Sequence, residues 1–592
     1  MNPLASYRIT LFPRLPLLSF FVSVFIYFIF FGDYVLFYQE KFSLFIFSFD
    51  FLKENLHQPG GFLIWLGKLF STFFYHSFTG ALVIAFVLSL IVYFISEIGR
   101  LITGKRLIIL PVIAGMILFL VHTDYQFFLF NSLGLLILLF LFYITLKYLK
   151  FLKGFIPLLL VPLVYFAAGG FIWIFIMLYT LLLCTGSENK KWIRLLLFLS
   201  FSFLLFYISE EFMFFQTTKT LLIFPFTELN IGTHHTIFLI LCGILSLLPL
   251  LLKIRTGLSD RLTLTKTSGF LITSIVIIVV LMVTSYMKFD KKTSNYFYVE
   301  KLFYQNKFDE IIAFNTRNTP TNQLTIFLNN IALCETNQLN DKLFNFPQNP
   351  DGSTLFLKWE MIGEILRRGG YFYYSVGMIN EAHRWAFENM VMKGHTPEGL
   401  KMLIKTELIN GNYKVASRYI GLLKNTLFYR TEALKYEKML FNDTVVNTDI
   451  ELGEKRKTRL QTDFFSIIDD PYINLGRILI TDSLNKKAFY YMMAIQMIKK
   501  NYQGIASLLP RYSVLGCTRF PVNVEEAATA LSVLNDGQLP DLGNININSS
   551  TTNRWTQYLT VFQQYGTNPK AAEPALKRQF GNTFWYWAFY SQ

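Results

Sequence analysis

The side chains with acid–base chemistry to offer in the first half of this chain are carboxylates and imidazoles gathered at a few places. Glu40, Ser43, Phe47, Asp50, Glu54 and His57 follow one another at alternating spacings of three and four. Read as one helix, that spacing puts them on a single stripe. Asp33 stands just after an apolar run, and Asp124 sits in the short stretch His122-Thr123-Asp124-Tyr125. Glu210 and Glu211 are adjacent, a pairing that tends to raise the pKa of one partner. His234 and His235 precede a further apolar run. A carboxylate so placed can take a proton from a hydroxyl, and the histidines can contact a phosphate or a metal. Each also has a plainer reading: Asp50 and Glu54 as the wetted face of an interfacial helix, Asp33 as a solvated helix end, Asp124 as a polar turn, His234-His235 as a cap.

These residues take their meaning from the elements around them. The 592 residues include 63 Phe, and Phe, Leu and Ile dominate up to about Met287. In water that half would expose more apolar surface than one core can bury, so it calls for a bilayer. The predicted spans are Leu15–Gly32, Phe78–Ser96, Leu107–Val121, Phe127–Lys147, Trp192–Ser209, Thr236–Leu252 and Ser268–Met287. The run Phe155–Cys184, broken by Pro157, Pro162 and Gly169-Gly170, reads as two short spans or a re-entrant hairpin. About nine crossings follow.

Lys and Arg cluster at alternate ends of these runs: Arg8 and Arg14; Arg100, Lys105 and Arg106; Lys147, Lys150 and Lys153; Lys190, Lys191 and Arg194; Lys253, Arg255, Arg261 and Lys266. The intervening loops carry Asp33, Asp124, Glu210, Glu211 and Glu228 instead. That is the positive-inside pattern. Membrane orientation accounts for the positive charge of this half, part of a net +15 for the chain, and no nucleic acid is needed. The pattern puts the N-terminus in the cytoplasm and residues 288–592 on the outer side, the periplasm of a bacterial inner-membrane protein. The first run continues past Gly32 without a cleavage site of small residues and reads as an uncleaved signal-anchor helix. Residues 33–77 are too polar to span and too apolar for a loop; they read as amphipathic interfacial helices interrupted at Pro59-Gly60-Gly61.

The second half reads as all-α. GMINEAHRWAFEN and GNYKVASRYIGLL place Gly377 and Gly411, and Ala382 and Ala416, 34 residues apart. That is the period of tetratricopeptide (TPR) helix pairs. NKFDEIIAF, KKAFYYMMAIQMI and NYQGIASLL look like degenerate copies; the alternative is an irregular helical domain. The four cysteines have no metal-ligand spacing. No GxxxxGK[ST] sequence occurs and no GxGxxG follows a strand, which excludes an ATP-driven pump. The near absence of ionisable residues within the spans disfavours an ion-coupled transporter.

The stretch YQEKFSLFIFSFDFLKENLHQPGGFLIWLGKLFSTFFYHSFTGAL, with GMINEAHRWAFENMVMKGHTPEGLKML and GNYKVASRYIGLLKNTLFYR, resembles an uncharacterised bacterial family of polytopic membrane proteins over essentially the whole chain. The order of parts also resembles the C-type glycosyltransferases, which move sugars from polyprenyl-phosphate carriers on the outer side of a membrane. That resemblance implies a catalytic or metal-binding carboxylate in the first outer loop, Asp33 or Glu40, and another in a later one, Asp124. It leaves Asp50, Glu54, His57, Glu210, Glu211, His234 and His235 to contact substrate, and a divalent metal as an open requirement. The first loop has no consecutive acidic pair, and the second half has no Trp-Trp-Asp-like motif. The expectation from that resemblance is therefore a glycosyltransferase, with an oligosaccharyltransferase among the types it covers, acting on membrane lipid and a polyprenyl-phosphate-linked glycan, with a periplasmic protein as acceptor or partner of the TPR-like domain. The alternative is a non-enzymatic envelope scaffold.

Overall fold

The computed structural model describes residues 14–148, 155–186, 191–226, 232–254, 267–360, 363–460, 462, 464, 466–467, 470–534, 537–542, 544–566 and 568–591. Arg8, Lys150, Lys153, Lys190, Glu228, Arg255, Arg261 and Lys266 lie outside them. Regular structure in the described residues is entirely helical. The chain forms two compact units, one of residues 1–290 with Asn425–Phe428, the other of Lys291–Lys424 with Tyr429–Gln592.

In the first unit, five helical runs among the described residues are long and apolar enough to cross a bilayer: Ser77–Thr103, Leu129–Tyr148, Ile156–Thr185, Lys191–Met213 and Ser268–Lys288. A sixth arises if Leu15–Phe30 and Asp33–Phe42, bent by 74° across Phe31-Gly32, count together. Ile109–His122 and Thr233–Ser246 are apolar but only 14 residues each. Ile272, Ile275, Met282 and Met287 are at least 60% exposed on the Ser268–Lys288 helix. Such a surface is unfavourable in water and costs nothing in lipid.

The run Ile156–Thr185 is interrupted at Gly169–Phe171, where Gly169 adopts φ +59°. Tyr165 and Trp173, four residues either side of Gly169, donate to the neighbouring carbonyls of Leu221 (3.2 Å) and Leu222 (2.8 Å). Both rings also pack on Phe206, each with centroids 4.9 Å away. Taken singly, the two pieces, Ile156–Ala168 and Ile172–Thr185, are each about 20 Å long, short of the roughly 30 Å hydrocarbon core.

The single helix expected from Glu40 to His57 does not form. Asp33–Phe42 is one helix and Phe49–Asn55 another; Ser43 to Phe47 between them is not helical. Leu44, Phe45 and Ile46 are buried there, so apolar burial holds the segment without helical periodicity. Ser48 then accepts a hydrogen bond from Phe51 N–H and caps the second helix. The stripe dissolves: Glu40 is buried, while Asp50, Glu54 and His57 are exposed.

In the second unit, helices meet at one recurring joint. Gly377 and Gly411 have φ of +91° and +80°. Each ends a helix (Gly363–Val376 or Pro397–Asn410), and the next begins two residues on (Ile379–Lys393 or Tyr413–Lys424). Ala382 and Ala416, five residues after each glycine, are fully buried. Asn306, Phe441 and Lys500 adopt the same left-handed conformation, and Ile311, Val446 and Ile505 are buried five residues later. The joint reverses the chain, and a small or apolar residue at the fifth position lets the helices close.

Buried ion pairs tie distant helices of this unit together. Glu335 accepts from Lys455 (2.8 Å), Lys487 (2.5 Å) and Ser375 (2.7 Å). Burial opposes its ionisation, but the two ammonium groups win and hold its carboxyl down at about 2. Glu300 and Arg368, both fully buried, pair at 2.7 Å.

Replacing Ala416 with Leu should destabilise the second unit by roughly 1–3 kcal/mol through overpacking. Thermal or chemical unfolding of the variant measures this, and an unchanged midpoint would contradict the close helix approach.

Candidate functional site

Three backbone segments of the first unit meet at glycines. Gly60, at φ +79°, donates its N–H to the Phe166 carbonyl (3.1 Å). Gly170 N–H donates to the Phe224 carbonyl (2.6 Å). A β-carbon on Gly60 would stand 3.0 Å from the Gly169 Cα, and one on Gly169, itself at φ +59°, would overlap the Phe224 carbonyl oxygen. Only glycine tolerates both the close approach and the positive φ. The junction fixes the segment after His57, the break at Gly169-Gly170 and the stretch after Thr218–Ile223 against one another.

A second set of contacts holds the Asp33–Phe42 helix to the turn that carries Asp124. Tyr34 Oη donates to the Thr123 carbonyl (3.3 Å). Tyr38 packs on Tyr125, with ring centroids 4.7 Å apart. Gln39 Nε2 donates to the Phe127 carbonyl (2.8 Å). Within the turn, Gln126 N–H donates to Asp124 Oδ1 (3.0 Å). The other oxygen, Oδ2, lies 2.9 Å from Nδ1 of His234, in the first turn of Thr233–Ser246.

This carboxylate–imidazole pair is half-buried, with the side chains of His234 and Asp124 26% and 24% exposed. A carboxylate on Nδ1 fixes the imidazole orientation and the tautomer that leaves Nε2 as the basic nitrogen. His234 makes no other hydrogen bond among the described residues. His235 is buried behind it, its ring 5.2 Å from Phe127. His122 Nε2 is 2.7 Å from Ser132 Oγ. Gln39 Oε1, His122 Nδ1 and Asn131 Oδ1 are buried without partners among the described residues. Such atoms cost about 1–3 kcal/mol each unless a polar guest satisfies them.

The other expected residues are dispersed. Asp33 accepts from Ser77 Oγ and ties the starts of two helices. Glu40 lies 3.6 Å from Lys41, both buried. Asp50, Glu54 and His57 are exposed on and after the Phe49–Asn55 helix. Glu210 and Glu211 are exposed in the turn Ser209–Met213, and Glu210 accepts from Thr218. Among the described residues no three His, Cys, Asp or Glu side chains converge, so Asp124 and His234 would supply two metal ligands at most. Sequence reasoning missed Gln39, Asn131 and Ser132, polar side chains in apolar helices, which are an intramembrane signal in their own right. It also missed Glu97, a buried carboxylate between Arg100 (2.6 Å) and Arg106 (3.2 Å). Glu97 lies one residue beyond the expected end of its span.

Comparison with known proteins bears on the chain as a whole. A family of unknown function, DUF6057, matches residues 7–591. The chain belongs to that family. Neither the curated proteins nor the solved structures contain a match to it. Membership fits the expected resemblance to uncharacterised membrane proteins and brings no activity with it.

Gly169→Ala should lower the thermal midpoint of the purified protein by several degrees, because both overlap and positive φ oppose it. Gly104→Ala, at φ +74° but with open space around it, should cost less; equal losses would show that the junction's close approach contributes nothing.

Proposed function

We propose that this chain is a multi-pass inner-membrane glycosyltransferase that moves a sugar from a polyprenyl-phosphate carrier to an acceptor on the outer side. The observation that carries the reading is the Asp124–His234 pair, 2.9 Å apart and half-buried at the ends of two apolar helices. In this reading His234 Nε2 takes the proton of the acceptor hydroxyl as its oxygen bonds to the anomeric carbon. The bond from that carbon to the carrier phosphate breaks, and its electron pair leaves with the phosphate. Asp124 steadies the imidazolium that forms, so its role is to orient the base rather than to be it. Gln39, His122 and Asn131, on the helices that contact or flank the Asp124 turn, carry buried polar atoms without partners among the described residues. Glu40, buried against Lys41, and Asp33, held by Ser77, serve the interfacial segment in this scheme.

The same reading carries about nine crossings, a cytoplasmic N-terminus and a periplasmic TPR-like domain that holds the acceptor or a partner. The Lys and Arg clusters and the 34-residue helix pairs support it.

A phosphatase fused after Asn295 should be active and a cytoplasm-only reporter there silent; the reverse overturns the orientation. Periplasmic glycoconjugates should be compared in cells carrying wild type, a deletion, His234→Gln or Asp124→Asn. The deletion should lose a glycan, and each variant should transfer about 10²- to 10⁴-fold more slowly while remaining inserted. An unchanged glycan profile in the deletion removes the enzyme and leaves an envelope scaffold. Full rescue by both variants removes these residues from the chemistry.

A further inference from the structure

A polar cavity of about 400 Å³ lies within the second unit, far in sequence from Asp124 and His234. Five segments build it, the stretch after Pro569–Phe580 adding Asn582 to four others. The short helix Leu339–Lys342 brings Asp341 and Lys342, and the loop before Val522–Leu534 brings Arg519. The Val522–Leu534 helix supplies Glu526, and Ser549–Gln563 supplies Arg554.

Glu526 is the fixed point. Its side chain is 1% exposed, and Oε2 accepts from Asn523 Nδ2 (3.0 Å) and Phe584 N–H (2.8 Å). Oε1 faces Arg554 at 3.4 Å, and Arg554 is held in turn by Asn582 (2.9 Å). Burial, aided by neighbouring Glu525, outweighs these donors and pushes the carboxyl up to about 7. Asp341 already accepts from Val522 N–H (2.9 Å) and pairs with Arg519 at 3.5 Å. Among the described residues Lys342 makes no ion pair.

The cavity therefore presents three cations, with one carboxylate engaged and the other partly protonated near neutral pH. Gln338, Asn345 and Asn582 add neutral amide donors and acceptors around its wall. Its size is that of small-molecule sites, enough for one or two sugar rings or a dipeptide. A dianion would meet Asp341 and Glu526 at close range, whereas a single negative charge flanked by hydroxyls or amides matches the lining.

From these contacts we infer that the cavity is a binding site for an organic carboxylate, with Lys342, Arg519 and Arg554 receiving the charge and the amides reading the groups beside it. Two sources share that chemistry, an acidic sugar and the free C-terminus of a peptide. The site is independent of the Asp124–His234 chemistry and stands whether or not that reading holds.

Calorimetric titration of the full chain in lipid nanodiscs tests the inference. The probes are glucuronate, acetyl-Ala-Ala as its free acid, their neutral counterparts glucose and acetyl-Ala-Ala amide, and inorganic phosphate. At least one carboxylate should bind while its neutral counterpart does not. Lys342→Met and Arg519→Gln, both at partly or fully exposed side chains, should each weaken that binding by about tenfold or more with an unchanged circular dichroism spectrum. Binding of glucuronate alone assigns the acidic sugar, of the peptide alone the C-terminus, and of both the carboxylate itself. The inference is overturned if neither carboxylate binds below about 10 mM, if the neutral probes bind as well, if phosphate binds more tightly, or if both variants leave binding unchanged.

Discussion

At the meeting of Gly60, Gly169-Gly170 and Phe224 there is no room for a β-carbon, and the first unit is arranged around that fact. Apolar helices in lipid gain little from burying one another, because lipid tails are as apolar as their side chains. Close approach of backbone and hydrogen bonds between segments must then carry the specificity. Here the Gly60 and Gly170 amides reach across to carbonyls of other segments. The break at Gly169 in the run Ile156–Thr185 is anchored by these bonds and by Tyr165 and Trp173 on either side of it.

The same constraint explains the polar side chains near Asp124. Thr123 offers its carbonyl at the C-terminal end of an apolar helix, where the last carbonyls lack intrahelical partners, and Phe127 offers its own just before the next helix begins. Tyr34 and Gln39 answer them. What remains at that end is a pair, Asp124 and His234, whose hydrogen bond joins the turn after Ile109–His122 to the first turn of Thr233–Ser246. A structural strut and an oriented base would share this geometry. The difference lies in His234, which is half-buried and has no second partner among the described residues.

Much of the fold is legible in the residues. Runs of apolar side chains set the helices of the first unit, and Gly377 and Gly411 mark joints because a reversal with positive φ favours glycine. The equivalent joints at Phe441 and Lys500 are hidden, since those residue types carry no such signal, and Asn306 carries a weaker one than glycine. The break between Glu40 and Asp50 is hidden for another reason. Ser43, Phe47 and Asp50 keep helical spacing, yet Leu44, Phe45 and Ile46 gain more from burial than from continuing the helix. Of the candidate site, Asp124, His234 and His235 stood out as polar residues beside apolar runs. Their partnership did not, because it depends on packing between segments distant in sequence. Glu526 was invisible for the same reason: only folding brings Arg554, Asn523 and Phe584 to it.

The central claim is that a lipid-linked sugar is bound beside His234. The most direct test is photo-crosslinking of the full chain in nanodiscs with a polyprenyl-phosphate sugar carrying a diazirine on the sugar ring, followed by peptide mapping. The expected result is label on residues 122–128 and 233–238, competed away by unlabelled donor. Label confined to residues 288–592, or none that unlabelled donor displaces, would contradict the account.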